Sequence, residues 1–164
     1  MSPSKQFRAA HVLVWTAGVV GILHAAASLY WAVGGQWLAA TAGQWALDLS
    51  VEAPVATKVG LGFIALLKFL AAIIPVAVAY GRVPGARFWR SISWVGGILL
   101  IAYGGLNTIL GAVVLAGLIT PDGGYDRAAL MGHALLWNPL FFIWGAALIL
   151  SLWFSRHDRR RSRV

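Results

Sequence analysis

VGLGFIALLKFLAAIIPVAVAY, residues 59–80, is an unbroken apolar run with one charge, Lys68, near its middle. Its 22 residues exceed the ~20 that a helix needs to cross ~30 Å of hydrocarbon. A membrane β-strand would instead alternate over ~10 residues. An ionisable group at the centre of a spanning helix costs at least ~2.5–3.5 kcal/mol on insertion scales, which makes Lys68 a functional-site candidate. None of the predicted spans holds an Asp or Glu to pair with it.

Working outward, three further runs are long and apolar enough to span: 11–33, 92–119 and 132–154. The composition agrees, with 60% hydrophobic and 11% charged residues, against roughly a quarter charged in a soluble domain. The expected fold is all-α: a single four-transmembrane-helix bundle over 1–164, with a basic tail at 155–164. The third run is longer than a bilayer requires and should tilt or emerge at one end.

If the spans alternate, Lys5, Arg8, Arg82, Arg87, Arg90 and the arginines of 156–163 fall on one side, and only Lys58 and Arg127 on the other. The positive-inside rule then places both termini and the 81–91 loop in the cytoplasm. The net charge of +8 is thereby explained. An arginine-rich tail beside a membrane helix contacts anionic lipid headgroups, and no nucleic-acid recognition element accompanies it. The absence of cysteine excludes disulfides and thiolate metal sites. Lys5 and Arg8 followed by an apolar stretch and Ala25-Ala26-Ala27 look like a cleavable leader, but apolar character continues through Trp31 and Val33, so an uncleaved first helix is expected.

The first outer loop, 34–58, is the longest non-spanning segment and has room for an interfacial helix. It repeats Gly-Gln-Trp at Gly35-Gln36-Trp37 and Gly43-Gln44-Trp45. Eight residues are close to two helical turns, which could put both indoles on one face of that helix; an ordinary aromatic belt, which needs no ligand, is the preferred reading. Small residues mark the packing seams: Gly97, Gly104 and Gly111 in the third span; Ala17, Gly21, His24, Ser28 and Trp31 in the first; Ala134, Asn138, Phe141 and Gly145 in the fourth. Membrane helices use such residues to approach closely. Pro75 and Pro139 each remove one main-chain hydrogen bond and should bend their helices.

Counting helical rise, His24, Lys68, Asn107 and Asn138, one from each span, are expected in a common layer in the outer half of the membrane. The Lys68 side chain leans toward its helix N-terminus and so outward, toward His24 and Asn138. As an ammonium it would suit an anionic or carbonyl-bearing group; it could instead be an unprotonated, neutral amine, or Asp48 or Glu52 could fold inward to neutralise it. His24 and His133 lie at different depths, a poor match for haem. No metal-ligand triad, nucleophile motif or cofactor motif accompanies these residues, so no catalytic residue, metal or cofactor is assigned.

Thr120-Pro121-Asp122, Asp126, Ala128-Ala129-Leu130, the run Gly132-His133-Ala134-Leu135-Leu136-Trp137-Asn138-Pro139 and Trp144-Gly145 resemble a family of small bacterial, mainly actinobacterial, four-helix integral membrane proteins of unknown function. His24, Tyr30-Trp31-Ala32, Gly34-Gly35 and Trp37 resemble its first helix and exit. The resemblance implies a bacterial cytoplasmic membrane location and supplies no activity. It draws attention to His24, Trp31, Trp137, Asn138 and Pro139, and Trp137 joins the candidate ligand-binding set.

Three functional expectations follow. The leading one is a non-enzymatic protein that binds or moves a lipid or small amphiphile in an outward-facing polar pocket at Lys68. The second is an accessory subunit docking on a larger membrane complex or on a copy of itself. The third is an enzyme acting on a lipid-soluble substrate, with Lys68 or His24 as acid–base.

Overall fold

The computed structural model describes residues 3–156; the remainder of the basic tail expected to meet anionic lipid headgroups lies outside the described residues. The described chain is helical from end to end. Four helices are long and apolar enough to cross a membrane. They comprise α1 (Pro3–Ala32), α3 (Pro54–Ala79), α4 (Ala86–Leu115) and a last rod that begins as α5 (Arg127–Gly132) and ends as α6 (Asn138–Phe154). A single π-helical stretch, His133–Trp137, joins α5 to α6. Between α1 and α3 lie a 3₁₀ turn (Ala39–Ala42) and a nine-residue helix, α2 (Gln44–Glu52).

Two of the helix ends that fall short of the apolar runs have the same local cause. The third helix stops at Leu115, although hydropathy continues to Ile119, because Gly117 takes a left-handed conformation (φ 73°). Leu118 N–H then bonds Val113 O and Gly117 N–H bonds Val114 O, a Schellman closure that a residue with Cβ resists. Gly34 (φ 95°) ends α1 in the same way, with Gly35 N–H on Tyr30 O. Trp37 consequently falls in the turn before the 3₁₀ segment and not on α2, so the two Gly-Gln-Trp repeats do not share one helix.

The bundle closes along the glycine and alanine seams. Gly97, Gly104 and Gly111 are all buried against the last helix. A Cβ on Gly104 would sit 2.5 Å from the Phe142 nitrogen and 2.6 Å from the Asn138 carbonyl oxygen. On the other side, Gly21 leaves room for the Trp144 indole beside Ala72, and Ala17, Ala72, Trp144, Ala147, Leu148 and Leu152 form the core. Small residues thus allow main chain to meet main chain where lipid gives no hydrophobic drive. Buried polar bonds add to this: Ser151 Oγ donates to Ala10 O at 2.9 Å, and Arg90 Nη2 to Leu152 O at 3.1 Å.

The packing is uneven. α3 lies along α1, α1 along α6, and α6 along α4, whereas α3 and α4 meet only sparsely. Both leave most of their surface uncovered by protein. The bundle is therefore open on its α3–α4 side.

The segment after α1 folds back over one end of this bundle. Gly132 is buried against Thr41, and a Cβ there would fall on the threonine. His133 Nε2 lies 3.4 Å from Ala42 O. Asp126 caps α5 through Ala129 N–H and also accepts from Gln44 N–H, each at 3.0 Å. These bonds, that from Ala129 foremost, hold its carboxyl below the usual carboxylate range. A depressed carboxylate pKa contributes stability that is complete above its unfolded value and lost as pH falls through the folded one. Acidification, or Asp126→Asn at neutral pH, is expected to loosen residues 39–44. Faster amide exchange at Gln44 and Ala129, with exchange along α1 unchanged, is the readout.

Candidate functional site

Lys68 extends from α3 across to α1. Its Nζ donates to Ser28 Oγ at 2.9 Å and lies 3.1 Å from His24 Nδ1. Ser28 passes its own hydrogen to His24 O at 3.4 Å, a long bond. His24 and Ser28 are 5% and 2% exposed, so the amine is held by groups that water does not reach from that side. An amine donating to Nδ1 leaves the imidazole hydrogen on Nε2. Nε2 is buried and has no hydrogen-bond partner among the described residues.

The walls are aromatic. Phe141 of α6 packs on the His24 ring at 4.0 Å between centroids, and Trp137 approaches it at 5.5 Å. Lys68 Nζ stands 5.5 Å from the Phe141 centroid, within range of a cation–π contact. Tyr103 of α4 meets the same phenylalanine edge-on at 5.8 Å while its ring remains half exposed. Lys68 and Tyr103 thus both reach Phe141, from the two helices that meet only sparsely.

Toward the 39–44 segment the site is stoppered. Trp31 packs edge-on against Trp137 at 5.2 Å. Trp137 Nε1 donates to Thr41 Oγ1 at 3.0 Å, and Trp31 Nε1 to Trp37 O at 3.0 Å. These indoles lie between the site and residues 37–41. Two clefts lie elsewhere, along α1 and between α1 and α3. Lys68 itself is half-buried.

The π turn brings Trp137 to this position. Pro139 has no N–H to give to Leu135, and its ring would crowd that carbonyl in a regular helix. The chain widens by one residue instead, so that Asn138 N–H reaches His133 O. Single π turns of this kind occur often at functional sites.

Of the expected site residues, the structure brings together His24, Lys68 and Trp137. Asn138 is buried next to Trp137, with its Oδ1 unpartnered. Asn107 is not drawn in: its Nδ2 donates to Tyr103 O of its own helix at 2.8 Å. Asp48 and Glu52 do not neutralise Lys68; Asp48 accepts from Gln44 Nε2 at 3.0 Å and Glu52 is exposed. Among the described residues no carboxylate approaches Lys68. Sequence reading placed Ser28 and Phe141 on packing seams without assigning them to the site. Tyr103 and Thr41 carried no signal.

A four-helix bundle of membrane-spanning proportions, with one internal amine held by serine and histidine, defines the class. The chain belongs to a protein family of unknown function, DUF3995, whose model matches residues 21–148. That match takes in His24, Ser28, Lys68, Trp137 and Phe141. Comparison with curated proteins and with solved structures finds no match.

Proposed function

We propose that this protein spans a bacterial cytoplasmic membrane four times with both ends inside, and binds or moves an amphiphile through the lateral opening between α3 and α4. The polar head of that molecule meets Lys68 and Tyr103, and its tail stays in lipid. The observation that carries this reading is an amine seated among His24, Ser28 and Phe141 with no described carboxylate beside it. An ammonium there has a third hydrogen to give and a charge to balance, so an anionic head is the chemistry it fits. The excess of cations in the 81–91 loop over the 34–58 loop supports the orientation.

Native mass spectrometry of the chain extracted from its own membrane tests the proposal. A small acidic amphiphile should co-purify, and Tyr103→Ala should lower its occupancy by roughly threefold to tenfold, the worth of one ordinary hydrogen bond. Finding no bound molecule, or occupancy insensitive to Tyr103, would refute it. A stoichiometric protein partner in place of a small molecule would favour the accessory-subunit reading.

A further inference from the structure

A cleft lies at the opposite end of the α1–α3 pair, about 18 Å of helical rise from Lys68. It runs between these helices and has a volume of about 380 Å³. Its apolar length is made by Gly18 and Ile22 of α1 with Ala72, Val76 and Ala77 of α3. Its end is not apolar: Trp15, Tyr80 and Arg82 line it together. Trp15 Nε1 donates to the Tyr80 hydroxyl oxygen at 2.9 Å, bridging the two helices. Because that oxygen accepts from Trp15, the phenol's own hydrogen is left to donate, and the residue is half exposed. The His11 ring packs edge-on against Tyr80 at 5.0 Å. On the far side of Trp15 a second, flatter trough of about 500 Å³ follows Val12, Thr16 and Val19.

We infer that this end of the molecule is a binding site for an anionic diacyl phospholipid. The phosphate is held by the Arg82 guanidinium and the Tyr80 hydroxyl, and the two acyl chains lie in the troughs on either side of Trp15. Charge complementarity selects the occupant. The polar end offers a guanidinium and a phenol hydrogen, both donors, and none of the groups lining the two troughs carries a carboxylate. A guanidinium binds phosphate through paired hydrogen bonds that a zwitterionic headgroup, with its own cation nearby, satisfies less well. The inference stands apart from the Lys68 reading, since it uses none of the same side chains.

The test titrates the delipidated full-length protein in detergent with dioleoyl phosphatidylglycerol, dioleoyl phosphatidylcholine or a single-chain phosphatidylglycerol, counting bound lipids by native mass spectrometry. The diacyl anionic lipid should bind about tenfold more tightly than the choline lipid, the worth of one charge-assisted contact. Arg82→Gln should erase that preference. Tyr80→Phe should reduce it while keeping the ring that His11 and Trp15 pack on. Ala77→Phe, which fills the cleft, should weaken both diacyl lipids. Arg87→Gln removes a cation of the first turn of α4, outside the cleft, and should change nothing. Equal binding of the two headgroups, or a preference that survives Arg82→Gln or falls equally with Arg87→Gln, would overturn the inference by reducing the site to ordinary lipid contact. Should Ala77→Phe fail to fold, the Arg82 and Tyr80 variants decide the matter alone.

Discussion

Lys68→Met is expected to leave the bundle folded and to strip it of its bound amphiphile. Methionine nearly matches the length and bulk of the lysine stem, so the contact between α1 and α3 survives. The amine contributes charge-assisted bonds worth about 1.5–3 kcal/mol each, so its loss should lower ligand affinity roughly tenfold to a hundredfold. Folding should not suffer in proportion, because the substitution also removes the cost of keeping a cation in hydrocarbon. Ser28 keeps its bond to His24 O, and His24 keeps its packing on Phe141. The measurement is ligand occupancy of the purified variant beside its thermal stability in detergent. Unchanged occupancy in a stable variant would remove the basis of the proposed function. Collapse of the fold would mean that the amine is a structural strut.

Gly104→Leu should have the largest effect on stability. The atoms that a Cβ would strike, Phe142 N and Asn138 O, belong to main chain and cannot swing aside. Overpacking of a tight core ordinarily costs about 1–3 kcal/mol, and the upper end is expected because α4 must move away from α6. Gly96→Ala is the matched control, since a Cβ there meets nothing within 4 Å. The comparison is the temperature at which each variant loses its monodisperse peak on size exclusion. Equal temperatures for the two variants would show that the α4–α6 seam does not hold the bundle together.

The glycine seam shows what kind of information a membrane sequence carries openly. Gly97, Gly104 and Gly111 recur every seven residues, and all three are buried where that spacing puts them. Ala17, Gly21, His24 and Ser28 are likewise buried on one side of α1. Periodicity reports the face of a helix, and apolar length reports a span, so both the architecture and the inward turn of His24 were legible. Asn107 marks the limit. Counting rise gave its depth, but it lies three residues beyond Gly104, about 60° around the helix from the seam, and it bonds its own backbone. Depth alone does not make neighbours.

The path of 34–44 was not legible for a different reason. Thr41 meets Trp137, and Gln44 meets Asp126, across 96 and 82 residues of chain. No local pattern encodes such a pairing. The same holds for Tyr103, whose place beside Phe141 depends on how α4 packs on α6.

The extra residue at Pro139 works like an offset keyway cut into a shaft. Everything beyond it toward Asp126 is turned about 100°, one residue's rotation, from where α6 alone would aim it. That turn lets one rod pack α6 on α4 and α1 while offering an indole to α1 and a carboxylate to the returning loop. A proline that can donate no hydrogen bond has thereby set the clocking of every aromatic contact above it.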